Sequence, residues 1–171
     1  MKELPKRKPN RLEASNYRRD GAYFVTICTE GKRQLFWKKS VGALTERPQG
    51  QVPLSPTGKI VEKTIQNIPQ IYPGVALEHY VVMPNHVHLL LLFQQEAMLD
   101  SGRSVSAPTE LPVIIRHMKG FVTRQLGKNI WQKGYYDHIV RNESEYKKIW
   151  CYIDQNPSTW LNDDYYEPVG D

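Results

Sequence analysis

Two apolar segments, residues 75–83 (VALEHYVVM) and 86–93 (HVHLLLLF), constrain the fold of this chain of 171 residues more than any other feature. Both are rich in β-branched and other large apolar residues, and the pair Pro84-Asn85 between them is typical of a turn. Short, uninterrupted apolar runs of this kind are typical of buried strands. The sequence therefore predicts two neighbouring buried strands, and with them a sheet at the centre of the fold.

Other patterned segments flank these two strands. In chain order we predict a strand (22–28), its hairpin partner (34–37), a helix (55–69), the two strands above, a helix (111–126), a strand (135–140) and a helix (142–155). The first helix start is marked by Ser55-Pro56, and the last by Asn142 with Glu145 three residues on, which is a capping-box pattern. This order indicates an α+β fold, in which helices pack on one face of an antiparallel sheet.

The length suits a single domain, and we expect residues 1–171 to form one, with a basic arm at 1–19 and loops at 38–56 and 94–110. Only Cys28 and Cys151 are present, too few for a disulfide framework. The longest apolar stretch, 89–93, is too short to span a membrane. We therefore expect a cytoplasmic protein with reduced thiols and no membrane association.

The distribution of charge favours a polyanionic partner. Lys and Arg outnumber Asp and Glu by 23 to 18, and cations are concentrated in the arm at 1–19. The 111–126 helix has an apolar face formed by Ile114, Ile115, Met118, Phe121, Val122 and Leu126. Its other face and the residue that follows it carry the candidate DNA-binding residues Arg116, Lys119, Arg124 and Lys128. Solvated basic faces of this kind also occur without a nucleic-acid partner, so the charge alone leaves both interpretations open.

His86 and His88 are the most specific candidates for chemistry. Alternate residues of a strand project from the same face, so these two imidazoles lie side by side. Two nitrogens on one face supply half of a metal site, and the turn before them and the leucines after them form a rigid platform. The alternative is that one or both histidines are ordinary polar residues on an exposed sheet face.

Tyr152 and Asn156 lie one helical turn apart at the end of the last predicted helix. The core face of that helix is formed by Tyr146, Ile149, Trp150 and Ile153, and Tyr152 lies off that face. A phenol can attack a phosphorus atom, and an amide oxygen can complete the ligand set of a metal. The alternative is that Tyr152 is a half-buried packing residue and that Asn156 ends the helix before Pro157.

Two blocks of the sequence together resemble the single-tyrosine HUH transposases, in particular their REP-associated branch. The first block is Met83-Pro84-Asn85-His86-Val87-His88 with the leucines that follow it. The second block comprises residues 131–143 (WQKGYYDHIVRNE), Tyr152-Ile153 and Asn156-Pro157, in the same order and at compatible spacing. The resemblance covers roughly residues 21–160.

The resemblance implies a ferredoxin-like antiparallel sheet with the HUH motif on a central strand and the catalytic tyrosine on a C-terminal helix. It implies that His86, His88 and Asn156 bind Mg²⁺ or Mn²⁺. It also implies that Tyr152 attacks a phosphate of single-stranded or hairpin DNA, leaving a 5′-phosphotyrosine and a free 3′-OH, with His86 and His88 as the other catalytic residues. Such enzymes build the site within one chain or across two, so a homodimer is compatible with the resemblance.

Two other functions remain open from the sequence. One is a non-catalytic, hairpin-binding regulator derived from such a transposase, which would keep the fold and the basic face without cleaving DNA. The other is a metallohydrolase that activates water at His86 and His88, in which Tyr152 is structural. A Tyr152→Phe variant would still cleave DNA in the second case.

Overall fold

The computed structural model describes residues 20–38, 53–94 and 110–166. The predicted arm at 1–19 and most of the loops predicted at 38–56 and 94–110 lie outside these residues. The elements in chain order are β1 (Gly21–Cys28), a 3₁₀ turn (Glu30–Lys32), α1 (Pro56–Gln66), α2 (Ile68–Ile71), β2 (Val75–Val82), β3 (His86–Phe93), α3 (Leu111–Leu126), β4 (Tyr136–Val140), α4 (Glu143–Gln155) and a 3₁₀ segment (Asn156–Asn162). None of these helices has the length and apolar character needed to cross a bilayer.

The strands of the described residues form one antiparallel sheet in the order β2-β3-β1-β4. This order, with one helical crossover before β2 and another before β4, is the ferredoxin-like topology. The predicted α+β class is therefore confirmed. Because β1 and β3 are the two inner strands, His86 and His88 lie on an inner strand of the sheet.

The predicted hairpin between residues 22–28 and 34–37 is wrong. Both edges of β1 are already paired, one with β3 and the other with β4, so no edge is left for a third partner. The chain instead leaves β1 through the 3₁₀ turn, and the backbone N–H groups of Leu35 and Phe36 both donate to Pro84 O, at 2.8 and 3.0 Å. Trp37 forms an isolated bridge with Leu54.

The prediction that the helices share one face of the sheet is also wrong. Val87, Leu89 and Leu91 of β3 join the large core that contains the buried residues of α1 and α3, whereas Leu90 packs with Ile153 of α4. The four consecutive leucines explain this arrangement, because a strand that is apolar at every position needs cover on both faces. His86 and His88 project from the same face as Leu90, which is the face that α4 covers.

Helix α4 is held on the sheet by a small apolar contact and several polar ones. Ile153 is its one fully buried residue, with Tyr146, Ile149 and Trp150 partly buried around it, as predicted for its core face. Three side-chain pairs, each 2.7 Å apart, add to this contact: His79 with Asp154, His138 with Glu145, and the Tyr146 hydroxyl with Glu78.

The predicted helix starts are confirmed at Ser55 and Asn142, whose side chains accept hydrogen bonds from Gly58 N and Glu145 N. Only one of the two hydrogen bonds of the predicted capping box forms, the one from Glu145 N to the Asn142 side chain. The Glu145 carboxylate accepts from Arg141 N, one residue before the cap, instead of from Asn142 N. Phe121 of α3 departs from the predicted apolar face and is 42% exposed, since it lies at the edge of the buried stripe.

We predict opposite effects on stability from two alanine substitutions in helices. A Cβ at Gly58 would collide with the backbone carbonyl of Phe36, so Gly58→Ala is expected to lower the free energy of unfolding by about 1–3 kcal/mol. Gly120 in α3 has open space around it apart from the flexible end of Arg124, so Gly120→Ala is expected to raise stability by about 0.5–1 kcal/mol. Urea unfolding measures both effects. A Gly58→Ala protein with the same unfolding midpoint as wild type would contradict the contact between α1 and the 35–36 segment.

Candidate metal and nucleophile site

Three buried side chains form a candidate metal site at one end of the sheet. The Nε2 atoms of His86 and His88 are 3.0 Å apart, and a carboxylate oxygen of Asp163 lies 4.0 Å from His86 Nε2. The donor atoms of all three residues lie within 4.8 Å of one another. Two imidazoles and a carboxylate at this separation can together bind a divalent cation.

Asn85 fixes the orientation of His86. Its amide nitrogen donates to the backbone oxygens of Lys32 and Tyr165, at 3.1 and 2.8 Å, which uses both of its hydrogens. Its Oδ1 then faces His86 Nδ1 at 2.8 Å and can only accept, so the hydrogen of the neutral ring is on Nδ1. The lone pair of His86 Nε2 therefore points toward His88 and Asp163, as metal binding requires.

His88 has an equivalent support on β1. Its Nδ1 lies 2.8 Å from the hydroxyl of Thr26, its direct cross-strand partner. Burial lowers the pKa of His88 to about 3, and burial with the neighbouring His88 lowers the pKa of His86 well below its usual value. Both rings are therefore neutral near pH 7, and the neutral imidazole is the form that binds metals.

Asp163 follows the 3₁₀ segment, and the sequence reasoning did not identify it. One carboxylate oxygen accepts from Tyr165 N at 2.7 Å, which turns the other toward His86. Burial is the main cause that raises its pKa, and the hydrogen bond from Tyr165, the nearby Asn156 side chain and the charge of Lys32 act against it. The only sequence signal was the acidic pair Asp163-Asp164, which no helical or strand period connects to the histidines.

Tyr152 lies at the border between this buried group and solvent. Its hydroxyl is 3.4 Å from His88 Nε2, its ring contacts His88 and Phe24 edge-on, and 42% of its surface is exposed. Burial and then the charge of Asp163 raise its pKa, while the Asn156 side chain lowers it. The phenol is therefore protonated at neutral pH in the metal-free protein.

Asn156 is 1% exposed and lies close enough to Tyr152 and Asp163 to lower the pKa of each. Neither its amide nitrogen nor its amide oxygen makes a hydrogen bond of standard geometry. A buried amide in this state is costly unless a ligand satisfies it. An amide oxygen is a ligand type that can join two imidazoles and a carboxylate around a divalent cation, so the chemistry of these donors fits such an ion.

The candidate DNA-binding residues lie on the other face of the sheet from the histidines, because α3 packs on the face opposite to α4. Arg116, Arg124 and Lys128 are exposed there. Lys119 differs, since its ammonium donates to the backbone oxygens of Gln132 and Gly134, at 2.7 and 2.8 Å. It therefore holds the segment that leads into β4.

We predict that Asn85→Ala weakens Mn²⁺ binding by roughly 10–100-fold, because His86 loses the partner that sets its tautomer and ring orientation. The matched control is Asn142→Ala, which removes the N-cap of α4 at the end away from Tyr152 and is expected to leave metal affinity unchanged. Calorimetric titration with Mn²⁺ below the unfolding temperature measures both. An Asn85→Ala protein with wild-type affinity would contradict this role.

Comparison with known proteins identifies a relative by sequence and a solved structure with a similar fold. No protein-family model matches the chain. A protein of Haemophilus influenzae (strain Rd KW20), described as uncharacterized, is 34% identical over 176 residues, which cover 94% of this chain and 93% of that protein. The structure of a REP-associated tyrosine transposase bound to a REP hairpin superposes with a TM-score of 0.57 at 22% identity, over 91% of this chain and 88% of that one. This second likeness establishes the shared fold.

Proposed function

We propose that this chain, which belongs to one family with the uncharacterized Haemophilus influenzae protein, is a metal-dependent tyrosine transposase that cleaves and rejoins single-stranded DNA at hairpin-associated sites. The observation that carries the proposal is the position of the Tyr152 hydroxyl, 3.4 Å from His88 Nε2 at the open side of a buried metal-ligand group. The fold shared with the REP-associated tyrosine transposase supports it.

The cation would be held by His86, His88, Asp163 and the Asn156 oxygen, and when bound it supplies positive charge to the phosphate under attack. In the reaction, Tyr152 Oη forms a bond to phosphorus while the bond from phosphorus to the 3′ oxygen of the leaving strand breaks. The phenol proton passes to solvent, and the 3′ oxygen takes up a proton to become a 3′-OH. The other strand stays attached as a 5′-phosphotyrosine, so a 3′-OH can reverse the step and rejoin DNA without ATP.

The surroundings of Tyr152 explain why positive charge is needed. Its pKa is raised by burial and by Asp163, so the free phenol is a weak nucleophile at neutral pH. A cation that neutralised Asp163 would remove the effect of the Asp163 charge on the pKa of Tyr152. Tyr152 also lines an open depression of about 760 Å³ along α4, together with Glu143, Lys147, Lys148 and Gln155. A strand of DNA would approach Tyr152 from this side.

We predict that neutralising two arginines of α3 lowers both the affinity for DNA hairpins and its dependence on salt. In an Arg116→Gln/Arg124→Gln double variant, the slope of log K against log salt should fall in magnitude by about 1.4–1.8, the loss of two phosphate contacts. Lys119 is left intact because it binds backbone carbonyls. Lys63→Gln in α1 is the control, and an unchanged slope in the double variant would exclude α3 from the interface.

The proposed function is tested by incubating the protein with Mn²⁺ and a pool of labelled hairpin oligonucleotides that carry single-stranded flanks. The expected result is a covalent adduct of protein and DNA on a denaturing gel. The adduct should not form when the metal is chelated before the DNA is added. Cleavage without an adduct would instead support a water-activating metallohydrolase. Hairpin binding without any cleavage would support a non-catalytic regulator, the alternative that the fold and basic residues also allow.

A further inference from the structure

A second, smaller cavity adjoins the candidate metal site. It has a volume of about 250 Å³ and is lined by residues that include Thr26, Lys32, Gln132, Lys133, Tyr136 and Tyr165. Thr26 is hydrogen bonded to His88, and the ring of Tyr165 lies 4.7 Å from that of His86 between centroids. The cavity and the metal site therefore share walls.

The lining is basic. It contains the two cations Lys32 and Lys133 and, within the described residues, no Asp or Glu. The Lys32 ammonium also acts toward the metal site, since it lowers the pKa values of His86 and Asp163 beside the larger effects of burial. The backbone around Lys32 is fixed in an unusual state, with a φ of 49° and its carbonyl bound to Asn85. An anion in this cavity would lie close to the attacked phosphate.

The cavity also offers an aromatic surface. Tyr136 is 46% exposed and lies directly across from Thr26, which in turn lies across from His88. Cross-strand partners share a face and are about 5 Å apart, so the three side chains form a row from the cavity to the metal site. Exposed phenol rings beside lysines are the elements that bind unpaired bases of single-stranded DNA.

The size of the cavity limits the ligand. Pockets for drug-sized molecules measure roughly 300–1,000 Å³, so this volume suits one nucleotide rather than a base pair or a hairpin stem. The wall is held in place, because Lys119 donates to the backbone oxygens of Gln132 and Gly134, and Gly134 has a φ of 85° that other residues rarely adopt.

We infer that this cavity binds the unpaired nucleotide next to the scissile phosphate, with its base against Tyr136 and its phosphate at Lys32 and Lys133. The inference rests on the proposed function and adds to it the part of the substrate that the protein itself recognises. The cavity then contributes to the choice of cleavage position, since only a nucleotide that leaves its stack can enter.

The experiment is an NMR titration of the ¹⁵N-labelled full-length chain with each of the four deoxynucleoside 5′-monophosphates, without divalent metal. We expect saturable shifts of the Lys32, Gly134 and Tyr136 amide signals at millimolar ligand. Tyr136→Ala and Lys133→Ala should each weaken binding on the order of tenfold, the size of one lost stack or one charge contact. The controls are Phe121→Ala, a ring of similar exposure on the other face of the sheet, and Lys63→Ala, and both should bind as wild type.

Absence of these shifts would overturn the inference, as would equal shifts with inorganic phosphate alone, which would mean an anion site that does not bind a base. Equal loss of affinity in Phe121→Ala would also overturn it. The proposed function fails separately, because it is judged by the covalent adduct. Nucleotide binding without an adduct would show a nucleotide site in the cavity but refute the transposase, and an adduct without nucleotide binding would support the transposase and overturn the role of the cavity.

Discussion

Tyr152→Phe is expected to abolish the covalent protein–DNA adduct and to lower the rate of DNA cleavage by roughly 10⁴-fold or more, the scale seen when a catalytic nucleophile is removed. The substitution removes only the hydroxyl that lies 3.4 Å from His88 Nε2. The ring contacts with Phe24 and His88 remain, so the fold and Mn²⁺ affinity should be preserved. The measurement is single-turnover cleavage of a hairpin substrate, followed on a denaturing gel.

The matched control is Tyr146→Phe on the same helix. It loses a hydrogen bond to Glu78, but its hydroxyl lies away from the metal site and should leave the adduct unchanged. Tyr165 is the other phenol close to the histidines, and burial raises its pKa to about 12. If an adduct persists in Tyr152→Phe and mass spectrometry maps it to Tyr165, then Tyr165 is the nucleophile. Cleavage without any adduct would mean that water is the nucleophile.

Asp163→Asn is expected to weaken Mn²⁺ binding on the order of 100-fold, because it removes the one anionic ligand of the group while preserving its shape. The folded protein should not lose stability. The pKa of Asp163 is raised in the folded state, so its ionised form costs stability at neutral pH, and a neutral side chain removes that cost. Weaker metal binding together with an unchanged or higher melting temperature of the metal-free protein would show that Asp163 acts as a metal ligand and not as a residue needed for folding.

Asp154→Asn is the control for this substitution. Asp154 is an exposed acid on α4 that pairs with His79, and its loss should leave Mn²⁺ affinity near that of wild type. If Asp163→Asn binds Mn²⁺ as tightly as wild type, the cation is held by the histidines and Asn156 alone, as the sequence resemblance implied.

The parts of the fold that the sequence predicted correctly are those with a strong local pattern. The leucine run of β3 requires burial on both faces, and the strand period alone brings His86 and His88 together. The side chain of Asn142 marks the start of α4, and the helical period then places Tyr152 off its core face. Each of these inferences needed only neighbours within a few residues.

The errors concern contacts between distant segments. The prediction of a strand at 34–37 was wrong because β4, which follows more than a hundred residues later, pairs with the second edge of β1. No pattern near residues 34–37 indicates that pairing. Asp163 reaches the histidines through an irregular 3₁₀ segment, whose direction no periodicity describes. Nothing in the sequence indicated that the ammonium of Lys119 donates to two carbonyls, and its role in DNA binding stays a prediction.

The contacts of Asn85 make the segment at 163–166 part of the same cooperative unit as the candidate metal site. One side chain binds the carbonyl of Tyr165, the carbonyl of Lys32 and the ring of His86, while Asp163 in that segment supplies the carboxylate. A cation bound by this group would be thermodynamically linked to the docking of residues 163–166, because it would bind fully only when Asp163 is in place. Bound metal would therefore stabilise the contact between residues 163–166 and the sheet.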